Sequence, residues 1–384
     1  MSKDIIKVLH LKQMISNDGA TEIILNLYKH INREKIKFDF LVYKEESNQN
    51  VKELQNLGSN IHFLPIKSQG IKITRLLKRS VAFYRFLKKN NYNVLHINTD
   101  DPFRALELSI AKLAGVKIRI IHSHGIRDYE KKEATPFIKG AIQYLCKIVI
   151  SKTATDFFAC SSSVANWMYT KKILNSSRYK TIRNGIEVEK YKFDKEVRNE
   201  YRKKLNISDK FVIGHVGRFT YVKNHEFLID IFSEVHKQHR ESILLLIGQG
   251  ELQSDVKRQV QELGLSDSVK FLGQRPDVAQ LMQSMDVCVF PSYYEGLGLV
   301  AIEAQAAGLK TYMSDTIPNE ARITNLVEAL SLDCDALYWA EKITCVENNY
   351  LRNNTSQLVI KSGYDLIQVA NELEDFYTSK TYHN

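Results

Sequence analysis

The sequence reads FPSYYEGLGLVAIEAQAAG from Phe290 to Gly308, directly after a short apolar segment that begins at Asp286. This segment, DVCVF, is β-prone and is followed by proline, which is typical of a buried strand. The glycines at Gly296 and Gly298 then predict a loop, and the Ala-rich remainder predicts a helix starting at the carboxyl end of a parallel sheet. Ligands of open α/β sheets bind at that edge, where free backbone N–H groups of a helix start attract phosphate.

Two carboxylates flank this turn, Glu295 in the predicted loop and Glu303 a turn or more into the predicted helix. Both can therefore reach hydroxyl groups of one ligand bound at the sheet edge. The alternative is a pair of solvated glutamates on a surface helix, the usual environment of this residue. Spacing alone leaves both interpretations open.

Short β-prone segments alternate with helical patterns along the rest of the chain, which predicts parallel βαβ units. The predicted strands of the first half are Ile5–Leu11, Phe38–Tyr43, Ile61–Pro65, Val94–Asn98, Ile118–His122, Asp156–Cys160 and Tyr179–Arg183. Those of the second half are Phe211–Gly217, Ile243–Gly248, Val269–Gly273, Val287–Pro291, Lys310–Ser314 and Ala329–Leu332. A chain of 384 residues suits two such α/β domains. The charged stretch Gly185–Lys210 is the expected boundary.

The segment around Glu295 and Glu303 resembles retaining nucleotide-sugar glycosyltransferases of family 4, of the bacterial capsule and exopolysaccharide type. Further segments match in the family's order and cover most of the chain: DGATEIILNLY (Asp18–Tyr28), FDFLVY (Phe38–Tyr43), HSHG (His122–Gly125), IRNGIE (Ile182–Glu187), GHVGRFTYVKNHEFLI (Gly214–Ile229), LLIGQGE (Leu245–Glu251) and FLGQRPDV (Phe271–Val278). The resemblance implies the GT-B fold, two Rossmann-like doubly wound parallel-sheet domains facing a central cleft. Its expected bounds are an acceptor domain over 1–190, joined by a crossing helix at 364–384, and a donor domain over 191–363.

Arg218 and Lys223 are the expected partners of a diphosphate. Arg218 directly follows a predicted strand, and Lys223 lies in the loop before the next predicted helix. Breaking the anomeric C–O bond of a nucleotide sugar builds negative charge on the leaving phosphate, which cations and preorganised N–H donors stabilise. The resemblance implies that this Arg and Lys contact the diphosphate; otherwise they are two of 54 Lys and Arg residues.

The same resemblance assigns the remaining donor contacts. Glu295 should approach the transferred sugar, Glu303 should hold the ribose hydroxyls, and the base should lie near the strand end that carries Arg275. The full set of expected donor-binding residues is Gly19, Arg275, Val278, Gly296, Leu297, Gly298, Leu299 and Glu303.

The first half contributes Gly19 and His124. The family usually has two glycines where this chain has Asp18 and Gly19, so a carboxylate replaces hydrogen near the expected diphosphate. Asp tolerates a left-handed backbone better than most residues, so the turn itself is compatible. His124 is the second histidine of the HSHG segment and, by resemblance, faces the donor sugar and acceptor. The alternative is a histidine satisfied within the domain wall.

No metal and no cofactor are expected besides the donor, a nucleotide sugar that should be UDP-linked. The pair Asp100–Asp101 is not an Asp-x-Asp motif, and the following proline favours a turn and N-cap instead. Five cysteines without CxxC spacing argue against a zinc site or disulfide framework and favour a reducing cytoplasm. The N-terminus goes straight into a predicted strand, so we expect no secretory signal.

The net charge of +10 is compatible with nucleic acid, an anionic membrane or a polyanionic substrate as partner. No nucleic-acid motif is recognisable, and the cations concentrate in Ile71–Asn90, IKITRLLKRSVAFYRFLKKN. On a helix, five apolar residues oppose a Lys/Arg face, which is typical of a helix resting on an anionic membrane. They are Leu76, Leu77, Phe83, Tyr84 and Leu87. The alternative is a helix that packs on its own sheet and exposes a basic face to water.

The sequence therefore predicts a retaining, metal-independent glycosyltransferase, cytoplasmic or peripheral at the inner membrane face. A lipid-linked saccharide is the expected acceptor. A sugar-nucleotide 2-epimerase of the same fold and a non-catalytic partner subunit are the alternatives.

Overall fold

The computed structural model describes residues 5–16, 19–64, 72–126, 137–345 and 352–382. Asp18 lies outside these ranges, and so does Ile71, the first residue of the predicted basic helix. Contacts divide the chain into two compact units. Among the described residues, the first unit extends to Gly185 and resumes at Leu366, and the second comprises Ile186–Asp365.

Thirteen strands and sixteen α-helices are described. The strands of the first unit are β1 Ile6–Lys12, β2 Ile36–Val42, β3 Ile61–Phe63, β4 Val94–Thr99, β5 Ile118–Ser123, β6 Asp156–Ala159 and β7 Tyr179–Thr181. Those of the second are β8 Phe211–Val216, β9 Ser242–Ile247, β10 Val269–Gly273, β11 Val287–Phe290, β12 Lys310–Ser314 and β13 Val327–Leu330. The helices are α1 Gly19–His30, α2 Gln49–Asn56, α3 Lys72–Asn90, α4 Ala105–Leu113, α5 Phe137–Thr153, α6 Ser162–Met168, α7 Lys171–Leu174, α8 Val188–Tyr191, α9 Lys195–Lys204, α10 His225–Gln238, α11 Gln253–Glu262, α12 Val278–Ser284, α13 Leu299–Ala306, α14 Ala336–Thr344, α15 Ser356–Lys361 and α16 Leu366–Tyr382.

The first unit is built on a parallel sheet in the order β3-β2-β1-β4-β5-β6-β7. Strand β1 pairs with β2 on one side and β4 on the other, so Ile6 lies opposite Ile36 and Val8 opposite Val94. Parallel crossovers are right-handed, so the helices that follow strands added in one direction along the sheet cover one face. The helices that follow strands added in the other direction cover the opposite face. Helices α1 and α2 pack together on one face with α16, whereas α3, α4 and α5 pack side by side on the other.

The second unit repeats this plan with the order β10-β9-β8-β11-β12-β13. Strand order reverses between β8 and β11, which are neighbours through Ile213 and Val287. The strands are apolar on both faces because helices cover both. On one side the core includes Leu244, Phe232 and Trp339, all essentially inaccessible to solvent.

These structures confirm the predicted fold class, and each predicted strand overlaps an observed one. The charged stretch between the two halves contains a helix, α9, that the sequence did not predict. Asp194 caps this helix by accepting from the backbone N–H groups of Glu196 and Val197. Its Arg198 and Arg202 pair with Asp286 at the start of β11, a tertiary contact that no local pattern reveals.

The basic helix α3 packs on its own domain through part of its apolar side, and its contact with a membrane stays a prediction. Phe83 and Leu87 are buried against the domain, whereas Leu76, Leu77 and Tyr84 are exposed. The five apolar residues therefore do not form one uniform stripe.

Helix α16 belongs to the first unit, where Tyr377 is fully buried against the sheet. Its hydroxyl lies 2.6 Å from His96 Nδ1, and Glu374 accepts a hydrogen bond from the Asn32 backbone N–H. The C-terminal helix is thus fixed by one buried and one exposed polar contact as well as by apolar packing.

Tyr377→Phe removes only the hydroxyl and leaves His96 Nδ1 buried without its partner. Unsatisfied buried polar groups are costly, so we expect a loss of about 1–2 kcal/mol in the free energy of unfolding. Urea denaturation measures this, with Tyr144→Phe as the control because Tyr144 is exposed. Equal urea midpoints for the two variants would contradict the assignment.

Candidate functional site

The candidate site of the second unit lies at the carboxyl edge of its sheet, where the loops after β8 and β11 meet. The backbone N–H of Tyr293 donates to Val222 O at 2.8 Å, and the rings of Tyr221 and Tyr293 stack. Adjacent parallel strands deliver their following loops to the same edge, so these contacts follow from the pairing of β8 with β11.

Lys223 and Glu295 form an ion pair across this junction. Lys223 Nζ lies 2.6 Å from Glu295 Oε1, and both side chains are mostly buried. Ser292 Oγ donates to the same carboxylate oxygen at 2.8 Å, which fixes the glutamate from its own loop. The sequence predicted both charged residues but not their pairing, and it missed Ser292, which lies three positions before Glu295 without a distinguishing motif.

Arg218 follows β8 by two positions, and its side chain is exposed at the same edge. The two predicted cations therefore occupy the loop after β8, one bound to Glu295 and one accessible to solvent. This arrangement places two cations at one edge of the sheet, where an anion of several charges can bind.

The loops after β8 and β9 approach each other backbone to backbone. Gly248 has φ +139°, and a Cβ placed there would lie 2.0 Å from Gly217 O. A Cβ at Gly250 would lie 2.4 Å from Phe219 O. The LLIGQGE segment therefore holds the loop that carries Arg218, a role the sequence could suggest only through its glycines.

Helix α13 begins at this edge with Gly298 as its N-cap, in the left-handed region at φ +89°. Leu297 is buried and anchors the loop, and Glu303 lies in the second turn of the helix, half-buried. The first amides of a helix have no intrahelical acceptor, so the start of α13 can donate hydrogen bonds to a ligand.

Arg275 forms an ion pair with Asp277 in its own loop. Its Nε and Nη2 donate to the two carboxylate oxygens of Asp277 at 2.7 and 2.6 Å. The Arg275 hydrogen bond is the main cause that lowers the pKa of Asp277 to about 2. Val278 starts α12 beside this pair. The expected base contacts at Arg275 and Val278 stay a prediction.

His215 lies in β8, behind the candidate site, and contacts the neighbouring strand β11. Its Nδ1 lies 2.8 Å from Val289 O, and because a carbonyl oxygen only accepts, Nδ1 carries the proton. Burial lowers the pKa of His215 to about 4, so the ring is neutral at physiological pH. A Cβ at Gly217 would lie 2.9 Å from its Nε2, so this glycine makes room for the ring.

In the first unit, His124 follows β5 and joins a cluster of buried polar side chains on β1, β4 and β5. Its Nε2 lies 2.9 Å from Asn98 Oδ1, and Asn98 Nδ2 lies 3.0 Å from His10 Nδ1. Asn98 Nδ2 also faces His96 O at 3.4 Å, which fixes the amide orientation because that carbonyl requires a donor. His124 therefore carries its proton on Nε2 and has an acceptor lone pair on Nδ1.

Burial, reinforced by the charge of Lys12, lowers the pKa of both His10 and His124 to about 3. Neither ring is an acid at neutral pH. Gly19 begins α1 in the same unit, with open space around its Cα.

The expected N-cap at Asp101 has a direct structural counterpart. Asp101 Oδ1 accepts from the Phe103 backbone N–H at the start of a 3₁₀ turn, which confirms the N-cap interpretation. Within the described ranges, no group of three or more His, Cys, Asp or Glu side chains is arranged to hold a metal ion. The described helices also include none long and apolar enough to cross a membrane.

Comparison with known proteins connects this geometry to a family. Residues 17–190 match the family described as Glycosyltransferase Family 4, and residues 197–364 match Glycosyl transferases group 1. The putative glycosyltransferase EpsF of Bacillus subtilis (strain 168) is 30% identical, over 98% of this chain and 97% of EpsF. The UDP-Gal:alpha-D-GlcNAc-diphosphoundecaprenol alpha-1,3-galactosyltransferase of Escherichia coli is 24% identical, over 97% and 96%.

Among solved structures, Anabaena Alr3699/HepE in complex with UDP and glucose superposes with a TM-score of 0.78. The alignment covers 97% of this chain and all of that one at 18% identity. A likeness at that identity establishes the fold.

Gly248→Ala tests the close approach of the Gly248 and Gly217 backbones in the loops after β9 and β8. The added Cβ collides with backbone that cannot rotate away, so we expect a loss of about 2–3 kcal/mol or more in unfolding free energy. Gly264→Ala is a matched control, since Gly264 also has positive φ but nothing within 4 Å of its Cβ. It should cost about 1 kcal/mol. Similar urea midpoints would refute the contact.

The low pKa values of the buried histidines imply that the free energy of unfolding decreases in acid. An unfolded histidine takes up a proton near pH 6.5, whereas folded His10 does so only near pH 3. The unfolded state binds more protons between these values, so stability falls as pH drops from about 6.5 towards 3. We expect His10→Asn to flatten the dependence of unfolding free energy on pH by up to about 1.4 kcal/mol per unit. The exposed His30→Asn should keep the wild-type slope, and an unchanged slope in His10→Asn would refute the account.

Proposed function

This chain belongs to glycosyltransferase family 4, and from that membership we propose that it transfers a sugar from a nucleoside-diphosphate sugar to a lipid-linked saccharide. The transfer retains the anomeric configuration and requires no metal ion. The donor is UDP-linked, and the product enters capsule or exopolysaccharide assembly at the cytoplasmic face of the membrane.

The observation that carries this proposal is the junction of Arg218, Lys223 and Glu295 at one edge of the second unit. When the anomeric C–O bond breaks, negative charge accumulates on the departing β-phosphate. Arg218 and Lys223 supply two positive charges there, and the partly buried position of Lys223 strengthens its interaction with that phosphate. Two fixed cations can do the charge neutralisation that a divalent metal does in other transferases.

Glu295 has two roles in this proposal. Without donor, it neutralises Lys223 through the 2.6 Å contact. With donor bound, the phosphate competes for the Lys223 ammonium and Glu295 accepts hydrogen bonds from hydroxyls of the transferred sugar. Ser292 keeps the carboxylate oriented through this exchange.

The remaining donor contacts follow α13 and the loop before it. Backbone N–H groups of Gly296, Leu297, Gly298 and Leu299 donate to phosphate and sugar, and Glu303 accepts from the two ribose hydroxyls. Gly19 contributes a backbone amide, and Arg275 and Val278 lie near the base.

Retention proceeds by substitution on one face of the sugar. The acceptor hydroxyl attacks the anomeric carbon from the side on which the diphosphate leaves, and a phosphate oxygen takes the hydroxyl proton. No protein carboxylate need act as a base. His124, neutral because burial lowers its pKa to about 3, lies near the hydroxyls of the donor sugar and acceptor in this proposal.

The lipid-linked acceptor is supported by the E. coli relative, whose name specifies a diphosphoundecaprenol substrate. It is also supported by exposed cations and apolar residues of α3, which suit peripheral contact with an anionic membrane.

A panel of nucleotide sugars tests the proposal, scored by release of free nucleoside diphosphate with and without a polyprenyl-diphosphate saccharide. One donor should be consumed with net nucleotide release, in EDTA as well as without it, and NMR of the product should report the donor's anomeric configuration. Conversion of the donor sugar without net nucleotide release would instead establish an epimerase. An inverted product would refute retention.

Arg218→Ala should lower kcat by about 10²- to 10³-fold, because it removes a cation that acts on charge developing in the transition state. The folded structure should survive, since Arg218 is exposed. Steady-state kinetics and thermal unfolding measure the two effects. Arg240→Ala is the control, because Arg240 is an exposed arginine just before β9, at the opposite edge of the second sheet. Comparable kcat values in the two variants would exclude Arg218 from the reaction.

A further inference from the structure

Helix α5 turns apolar side chains outward. Ile138, Ile142, Leu145 and Val149 follow one another at helical spacing and are all exposed, Ile138 by 72% and Leu145 by 61%. Residues at this spacing share one helix face, which in a globular domain normally faces the core. On α5 the side towards the protein includes the polar Gln143, which is buried.

The neighbouring helices extend this apolar surface. Helix α4 packs against both α3 and α5 on one side of the sheet. Its Leu113 is 75% exposed, and Leu77 of α3 is 60% exposed. We call the outer surface of these helices the α3–α4–α5 face. Large exposed apolar side chains on three adjacent helices are typical of an interaction site.

The charge on this face has one sign. Helices α3 and α5 contain no Asp or Glu, and the one acidic residue of α4, Glu107, is buried. Glu107 is also neutralised by Arg79 and Arg104, at 3.4 and 3.2 Å. The exposed cations are Lys78, Arg85, Lys88, Lys89, Lys112 and Lys152. Among the described residues of these three helices, the face therefore combines exposed apolar side chains with exposed cations and no exposed carboxylate.

We infer that the α3–α4–α5 face docks on an anionic lipid bilayer, with the outer apolar side of α5 inserted among the acyl chains and α3 held by headgroups. Apolar residues bordered by lysine and arginine suit the interface between hydrocarbon and anionic headgroups. A second copy of this chain is a poor occupant, because a twofold contact would bring two positive faces together. The inference rests on the proposed lipid-linked acceptor and identifies the surface that brings the enzyme to it.

Docking through this face differs from membrane binding by the charge of one helix alone. The sequence pointed to residues 71–90, yet part of the apolar side of α3 is buried at Phe83 and Leu87. Helix α5 offers the longer exposed apolar stripe. Binding should therefore require both elements, with α5 contributing a component that salt does not screen.

Co-sedimentation with vesicles tests the inference on the full chain, using phosphatidylcholine alone and an equimolar mixture with phosphatidylglycerol. The wild-type protein should bind the anionic vesicles and not the neutral ones. Ile142→Glu/Leu145→Glu and, separately, Lys88→Glu/Lys89→Glu should each weaken binding at least tenfold. High salt should weaken wild-type binding. Ile367→Glu is the matched control, because Ile367 is exposed on α16, at the other side of the sheet.

If Ile142→Glu/Leu145→Glu binds anionic vesicles as tightly as the wild-type protein, the proposed role of α5 is wrong. If the wild-type protein does not bind anionic vesicles, the inference as a whole is wrong. A dimer in light scattering that Ile142→Glu/Leu145→Glu dissolves would assign the face to self-association instead. Donor hydrolysis measured without vesicles separates the two proposals. Hydrolysis without vesicle binding leaves the transferase intact and refutes docking, whereas docking without hydrolysis of any donor refutes the transferase.

Discussion

Parallel strand pairing is the constraint on which the rest of this structure depends. Every pairing among the described strands is parallel, so each sheet collects its strand-to-helix loops at one edge. The reversal of strand order, at β1 and at β8, then brings loops from non-consecutive strands together there. Lys223 meets Glu295, 72 positions away, for this reason. The same reversal directs α3, α4 and α5 to one side of the first sheet, which makes a broad surface from three helices.

The two units handle charge in opposite ways. In the second unit, two cations lie at the sheet edge, where Lys223 forms an ion pair with Glu295 and Arg218 is exposed. In the first unit, burial lowers the pKa of His10 and His124 to about 3 and keeps the polar cluster around Asn98 neutral. Charged groups suit a leaving diphosphate, whereas neutral hydrogen-bonding groups suit sugar hydroxyls. The charged groups of the second unit are the ones that the proposed donor diphosphate requires.

The sequence predicted the fold closely because both periodicity and loop glycines are local signals. Strands β10 and β12 were predicted with their observed bounds, and the helix after Gly298 began where its glycine indicated. Contacts between distant residues could not be predicted. The pairing of Arg198 and Arg202 with Asp286, the support of Glu295 by Ser292 and the outward apolar side of α5 all depend on tertiary packing. The orientation of Asn98, which sets the proton on His124, likewise requires coordinates.

The central claim is that the carboxyl edge of the second sheet binds a nucleoside diphosphate through its phosphates. Calorimetric titration of the wild-type protein with UDP, ADP and GDP, each compared with its nucleoside, tests this most directly. We predict one binding site per chain for one of these diphosphates, and we expect it to be UDP. The diphosphate should bind at least tenfold more tightly than its nucleoside, because Arg218 and Lys223 contact only the phosphates. Equal affinity for nucleoside and diphosphate, or no binding of any of the three, would contradict it.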